Sequence, residues 1–317
     1  MKKISLVAVI ILGLSFHSTI KSENKAPLQG TITLSGAWAL YPMAVKWAEE
    51  YQKLNPGVKI DISAGGAGKG MADALAQVVD IGMVSRDIYP EEISKGAWYV
   101  AVTKDAVVPV MNEMNPVFKE IQSRGVKKEI FIGIWITEAV KTWGQVSGTK
   151  NNAQINVYTR SDACGAAEVW AKYLGKKQED LRGVGVYGDP GIAEAIRRDV
   201  FGIGFNNINY AYDSKTHKPI KGLKPIPLDL NDNGKLDPDE NFYGSLEEIT
   251  KAIAINKYPS PPARELYFVC KGNPQKPLVR DFIKWVLTDG QKYVQETGYI
   301  NLSFISLQEQ LKKLDYK

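Results

Sequence analysis

The chain has 317 residues, 44% of them hydrophobic and 24% charged, with a formal charge of +5. That apolar content suffices for a substantial core and two domains of ordinary size, which excludes a disordered or fibrous chain. Two cysteines, Cys164 and Cys270, exclude a disulfide framework, and two histidines leave little for His-based catalysis.

Met1-Lys2-Lys3, the apolar run Ile4 to Phe16 and the small and polar residues after it read as a cleaved signal peptide over 1–24. The run is shorter than the ~20 residues of a membrane-spanning helix. No cysteine follows it to carry a lipid. The expectation is export to the periplasm or release from the cell. Loss of Lys2, Lys3 and Lys21 leaves a charge of about +2, too small to suggest nucleic acid.

Strand and helix patterns then alternate, which predicts an α/β fold. Ile32 and Leu34 alternate with Thr31 and Thr33, and Ser35-Gly36 ends that strand. Tyr41, Ala44, Val45, Ala48 and Tyr51 keep helical spacing, with Pro42 in the first turn. Asn55-Pro56-Gly57 stops the helix, and Val58, Ile60 and Ile62 form the next strand. A glycine-rich turn over Ser63 to Gly70 precedes a helix marked by Met71, Ala74, Leu75 and Val78. Asp80 to Val84 is a short buried strand ending at Ser85-Arg86. Ile155, Val157 and Tyr158 form a strand that breaks at Arg160-Ser161-Asp162. A helix with Ala166, Val169, Trp170, Tyr173 and Leu174 on one face follows. Gly202 to Phe205 and Leu266 to Cys270 read as further strands, and Pro277 to about Thr288 as a helix. The stretch Lys257 to Ala263 reads as a linker between lobes.

Three strand–turn–helix junctions stand out: Ser35 to Pro42, Ser63 to Gly70, and Arg160 to Gly165. Such junctions place helix N-termini and free N–H groups at the carboxyl end of a sheet, where anions bind. Taken singly, each is also an ordinary connecting turn.

The residues of these junctions carry a resemblance. Ser35-Gly36-Ala37-Trp38-Ala39-Leu40-Tyr41-Pro42 and Gly65-Gly66-Ala67-Gly68-Lys69-Gly70 resemble the first two anion loops of the phosphate-binding subunits of bacterial phosphate importers. Asp80-Ile81-Gly82-Met83-Val84-Ser85-Arg86 resembles that family's third strand end. Arg160-Ser161-Asp162-Ala163-Cys164-Gly165-Ala166 resembles its fourth loop, and Leu266 to Pro274 a late strand. The resemblance implies an α/β, two-lobed periplasmic-binding-protein-like (type II) fold with two hinge-crossing segments. Lobe one would comprise 28–108 plus 263–317, and lobe two 109–262. It also implies a monomer that captures a small oxyanion, phosphate first, and delivers it to membrane-embedded ABC permease subunits. The ligand-binding residues it implies are Ala37, Trp38, Ala39, Gly66, Ala67, Ser85, Arg86, Arg160, Asp162, Cys164, Gly165 and Ala166.

The departures bear on the ligand. Ala37, Trp38, Ala39, Ala67, Cys164 and Ala166 stand where the family carries hydroxyl groups or similar donors, leaving backbone N–H groups and one or two guanidinium groups. Asp162 either accepts a proton from the ligand or orients Arg160. Trp38 either walls the site, capping a phosphonate-like ligand, or simply packs. Cys164 is either a reactive thiol at a helix N-terminus or a small buried residue. Tungstate and molybdate stay open as alternatives to phosphate, and a signalling or scavenging module as an alternative to import.

A second pattern is read from spacing alone. Asp229-Leu230-Asn231-Asp232-Asn233-Gly234-Lys235-Leu236-Asp237-Pro238-Asp239-Glu240 matches the twelve-residue calcium loop at its defining positions. Asp229, Asn231, Asn233, the Lys235 carbonyl, Asp237 and Glu240 would supply oxygen to Ca2+, with Gly234 making the sharp turn. Lys224-Pro225-Ile226-Pro227 cannot form a normal leading helix, so a structural clip is expected rather than a regulatory hand. The plainer reading is a solvated acidic turn. An enzyme is not expected: one histidine remains after signal cleavage, and the glycine-rich run has Ser63 where an ATPase phosphate loop needs Gly and Gly70 where it needs Ser or Thr.

Overall fold

A computed structural model describes residues 27–315, and the signal peptide expected over 1–24 lies outside them. Nine strands are present among these residues: β1 (Gly30–Gly36), β2 (Val58–Ala64), β3 (Ile81–Val84), β4 (Ala97–Asn112), β5 (Asn156–Arg160), β6 (Val184–Val186), β7 (Gly202–Asn207), β8 (Leu223–Pro225) and β9 (Ala263–Lys271). The helices are α1 (Tyr41–Leu54), α2 (Ala67–Leu75), α3 (Pro90–Ser94), α4 (Phe118–Arg124), α5 (Lys128–Trp135) and α6 (Trp143–Ser147), then α7 (Gly165–Tyr173), α8 (Gly188–Arg198), α9 (Ile208–Ala211), α10 (Leu246–Ala254), α11 (Pro277–Leu287) and α12 (Phe304–Asp315). None of these helices is long and apolar enough to cross a membrane.

The strand order is β2-β1-β3-β9-β4-β7-β5-β6, with β8 paired to β4. At one end β1 pairs in parallel with β2 and β3, and at the other β5 pairs in parallel with β6 and β7. Between them β4 and β9 run antiparallel, each extending from one half into the other. Two apolar cores flank this seam. One joins Ile32, Trp47, Met71, Met83 and Phe268 to Phe282. The other joins Val108, Phe131, Trp135, Trp170 and Phe205 to Ile249. The two-lobed α/β fold expected from the sequence is the fold observed.

The strand β4 escaped the sequence reading. It is buried almost without interruption from Val100 to Asn112, so it lacks the alternation that marks a half-exposed strand. At the crossing Asp105 sits opposite Arg264, and the two side chains pair at 2.9 Å. Three boundaries also differ from expectation. β2 continues through Ser63-Ala64, and α2 begins at Ala67, so the second half of the glycine-rich run is helical. Gly68 and Gly70 lie inside that helix because its first turn packs against neighbouring backbone. α2 ends at Leu75, leaving Val78 exposed. β9 already begins at Ala263, the last residue of the supposed linker.

Candidate functional site

The strand ends of the two halves meet across one seam. At its floor β1 ends in Gly36, whose φ is +128°. A Cβ there would sit 2.3 Å from the carbonyl of Met83, so only glycine lets β1, β3 and α2 approach this closely. The Ala37 N–H donates to the same carbonyl at 2.8 Å, which fixes the first junction. The Ser35 hydroxyl donates to Asp73 at 2.6 Å. Gly66, at φ +87°, caps α2 with no side-chain hydrogen bond to the helix amides.

The second half closes directly on this backbone. Gly68 N donates to Ala163 O at 3.1 Å. A Cβ at Gly66 would lie 2.8 Å from Ala163 O and 3.0 Å from Asp162 Oδ2. One at Gly165 would lie 2.1 Å from the backbone oxygen of Ser85 and 2.4 Å from its hydroxyl. The structure therefore brings Ala37, Gly66, Ala67, Ser85, Asp162, Gly165 and Ala166 into one tight region, with the N-termini of α2 and α7 facing each other.

Arg160, at the end of β5, is the charged centre of the opposite wall. Its side chain is fully buried. Nε and Nη2 donate to the two oxygens of Asp162 at 2.8 and 2.7 Å, and Nη1 donates to Asp189 at 2.7 Å. Of the two readings of Asp162, orientation of Arg160 is the one visible in the geometry. Asp162 also accepts from Gly188 N at 3.2 Å, and Gln178 Nε2 donates to its main-chain oxygen at 2.8 Å.

Asp189 was not singled out from sequence. Tyr187-Gly188-Asp189-Pro190 follows β6 and opens α8, a fourth strand–turn–helix junction of the same kind, and that was the available signal. Asp189 Oδ1 accepts from Asn207 N at 3.2 Å, and the Asn207 side-chain oxygen accepts from Arg264, which pairs with Asp105. A buried polar chain thus runs from the hinge strands to Arg160. Burial pushes the Asp105 carboxyl above its ordinary range, with Arg264 opposing that rise.

Several expected ligand residues have other roles in this geometry. Arg86 grips Glu92 through both terminal nitrogens, at 2.9 and 2.6 Å, and reaches Glu168 in α7 at 3.3 Å. Its guanidinium also lies over the Tyr89 ring at 4.4 Å. Arg86 is therefore a strut between the halves, because nearby carboxylates capture its fork. Ala39 is buried in the short helical turn Trp38–Leu40, where its carbonyl accepts from Tyr299 at 2.7 Å. Cys164 is buried, and its sulfur caps α7 by accepting from Ala167 N at 3.4 Å. Burial pushes its thiol up to about 12, so the reactive-thiol alternative has no support. Trp38 bridges the halves: its ring lies against Gly188 and edge-on to Tyr187, and its carbonyl accepts from Tyr210 at 3.1 Å. Its indole N–H is buried and has no acceptor among the described residues.

The acidic loop 229–240 lies elsewhere in the second half, beside α4. Among the described residues, no three His, Cys, Asp or Glu side chains stand together as a group able to hold a metal. Asp229 and Glu240 are buried in the loop, while Asn231 and Asn233 both donate to Asp237, at 2.8 and 2.7 Å. Lys235 contributes its N–H to Asn233 Oδ1 at 2.8 Å.

A model of the PBP superfamily domain matches residues 21–290. A Methanocaldococcus jannaschii protein named phosphate-binding protein PstS is 26% identical over 337 residues, covering 89% of this chain and 85% of that protein. The Bacillus subtilis protein of the same name is 30% identical over 216 residues, covering 67% of this chain and 68% of that protein. A Clostridium perfringens structure solved with bound phosphate has a TM-score of 0.72 and 21% identity. It is matched over 86% of this chain and 100% of its own.

Proposed function

We propose, from the premise that this chain belongs to the PBP superfamily, that it captures phosphate between its lobes and delivers it to the membrane subunits of an ABC-type importer. The observation that carries the reading is the meeting of the α2 and α7 N-termini with Arg160 at a single seam. Relatives named phosphate-binding proteins supply the first choice of anion. The signal-peptide pattern supports action outside the cytoplasm. The role is binding, with no covalent chemistry.

Net charge does not hold the anion. Arg160 is flanked by Asp162 and Asp189, so the triad carries one negative charge. Binding rests on directed donors instead. These are the first-turn amides of α2 and α7 other than Gly68 N and Ala167 N, which already donate to Ala163 O and Cys164 Sγ, with the remaining guanidinium N–H groups and the indole N–H of Trp38. Ala37, Ala67 and Ala166 remove hydroxyls without removing any amide. Hydrogen phosphate brings a proton, and the Asp162 and Asp189 carboxylates are the acceptors at hand. Sulfate would set lone pairs against lone pairs there.

Calorimetry of the stripped protein against phosphate, sulfate, tungstate and molybdate at two pH values tests this. Phosphate should bind at least tenfold more tightly than sulfate. Equal or tighter binding of the unprotonated oxyanions would replace phosphate as the ligand, and heat from none of the four would remove the anion site.

A further inference from the structure

We propose that the loop Asp229–Glu240 binds one calcium ion, which clips the second lobe together beside α4. The argument is independent of the anion site. Its first element is spacing: oxygen-bearing side chains stand at the first, third, fifth, ninth and twelfth positions, with glycine at the sixth. Gly234 adopts φ +77°, which makes the turn that such a loop requires.

The second element is electrostatic. Asp229 and Glu240 are each only 4% exposed, and among the described residues neither is paired with a lysine or arginine. Asp229 Oδ2 accepts from Gly234 N at 2.8 Å, so the carboxylate faces into the loop. Its Oδ1 is buried and has no hydrogen-bond partner among the described residues. Glu240 folds in from the other end, with Oε1 accepting from Leu230 N at 2.9 Å and Asn231 N at 3.1 Å, and Oε2 accepting from Asp237 N at 3.2 Å. Lys127 reaches the loop only at the Asp232 main-chain oxygen, so two buried carboxylates turned inward without a direct ion pair among the described residues are costly unless a cation completes them.

The remaining donors fit a hard cation. Asn231 and Asn233 direct their amide nitrogens to Asp237, and a bound cation would compete with those nitrogens for the carboxylate. Carboxylate, amide and main-chain oxygens in a twelve-residue loop suit calcium, whereas magnesium demands a tighter octahedron and retains water. The loop is anchored at both ends of its turn: Asp229 N donates to Val126 O and Leu236 N to Ser123 O, each at 3.1 Å. A Cβ at Gly125 would meet Asp229 N at 2.9 Å, so the anchor is close-packed. No helix leads into the loop, and α10 begins at Leu246, well beyond it. The site therefore stiffens a junction and has no helix pair to open.

The full chain, freed of metal by a chelator that is then removed, should be titrated with Ca2+ alone and with Mg2+ alone by calorimetry. One Ca2+ per chain is expected, with a Kd of about 10⁻⁵–10⁻³ M and Mg2+ at least tenfold weaker. The melting temperature should rise by about 5 °C at a hundredfold calcium excess over Kd. Asp229→Asn should abolish both responses, yet melt in chelator no lower than the parent chain, because it removes an unbalanced buried charge. Absence of calcium heat up to about 10 mM, or identical melting curves with calcium and chelator, would overturn the proposal. So would an Asp229→Asn variant that keeps the calcium response.

Discussion

On one side of the seam stand Ala37, Gly66 and Ala67, which offer a ligand little beyond backbone. On the other stand Arg160, Asp162 and Asp189, whose charged side chains are 0, 6 and 1% exposed and bonded to one another. The first wall is insensitive to side-chain chemistry but intolerant of volume, since its donors are amides set by strand and helix geometry. The second is the reverse: its shape depends on which charges pair, and the chain of hydrogen bonds behind it reaches the hinge pair Asp105–Arg264. Hydroxyls can therefore be lost from one wall at small cost, whereas removing one charge from the other leaves its partners buried and unpaired.

Breaking the charged wall should have the largest effect. Arg160→Ala strands Asp162 and Asp189, so stability should fall by about 3–5 kcal/mol in denaturant melts. Anion affinity should drop at least a hundredfold by calorimetry. Retained affinity would show that the charged wall is not part of the site.

Breaking the backbone wall by volume comes next. Gly165→Ala places a methyl 2.1 Å from the Ser85 carbonyl, a backbone atom that cannot step aside. Each lobe should still fold, because Gly165 opens a helix and has no positive φ. Affinity should fall about tenfold or more, through a penalty of about 1–3 kcal/mol on closure. Small-angle scattering with ligand should report a more open molecule, and a fully closed one would contradict the close approach of α7 and Ser85.

Tyr210→Phe probes the contact between the walls more gently. It removes the hydroxyl that donates to the Trp38 carbonyl, worth about 1 kcal/mol, so affinity should change less than about tenfold. A larger loss would make Tyr210 a direct ligand donor.

The smallest expected effect is at Cys164. Burial lifts its thiol from an ordinary value of 9.0 to about 12, so at pH 8 the folded chain should not react with a thiol reagent. The thiol is raised in the folded state, so its contribution to stability is complete below pH 9. That contribution is lost as pH rises toward about 12, and alkaline melts should show the decline. Rapid labelling of the native chain would place Cys164 on an open surface of the seam.

Much of the fold was legible because the signals are local. Alternation over Thr31 to Leu34, helical spacing from Tyr41 to Tyr51 and the stop at Asn55-Pro56-Gly57 each involve neighbours in sequence. The glycines of the seam were legible for the same reason, since a strand turning into a helix needs them. What escaped was non-local. β4 is buried on both faces and shows no period of two. Asp189 lies 29 residues beyond Arg160 and acts only because α8 folds back beside β5.

The amino-acid sequence by itself determined where free amides and tight turns would lie, and where an oxygen-rich loop of calcium spacing would form. Only the tertiary structure decided what each arginine faces. Arg86 and Arg160 look alike in sequence, each at or just past a strand end with an aspartate one or two residues on. Yet Glu92 and Glu168 draw the first into a strut between lobes, while Asp162 and Asp189 hold the second inside the seam. A guanidinium on a long side chain takes whichever carboxylates the packing brings within about 3 Å, and that choice is made by distant parts of the chain.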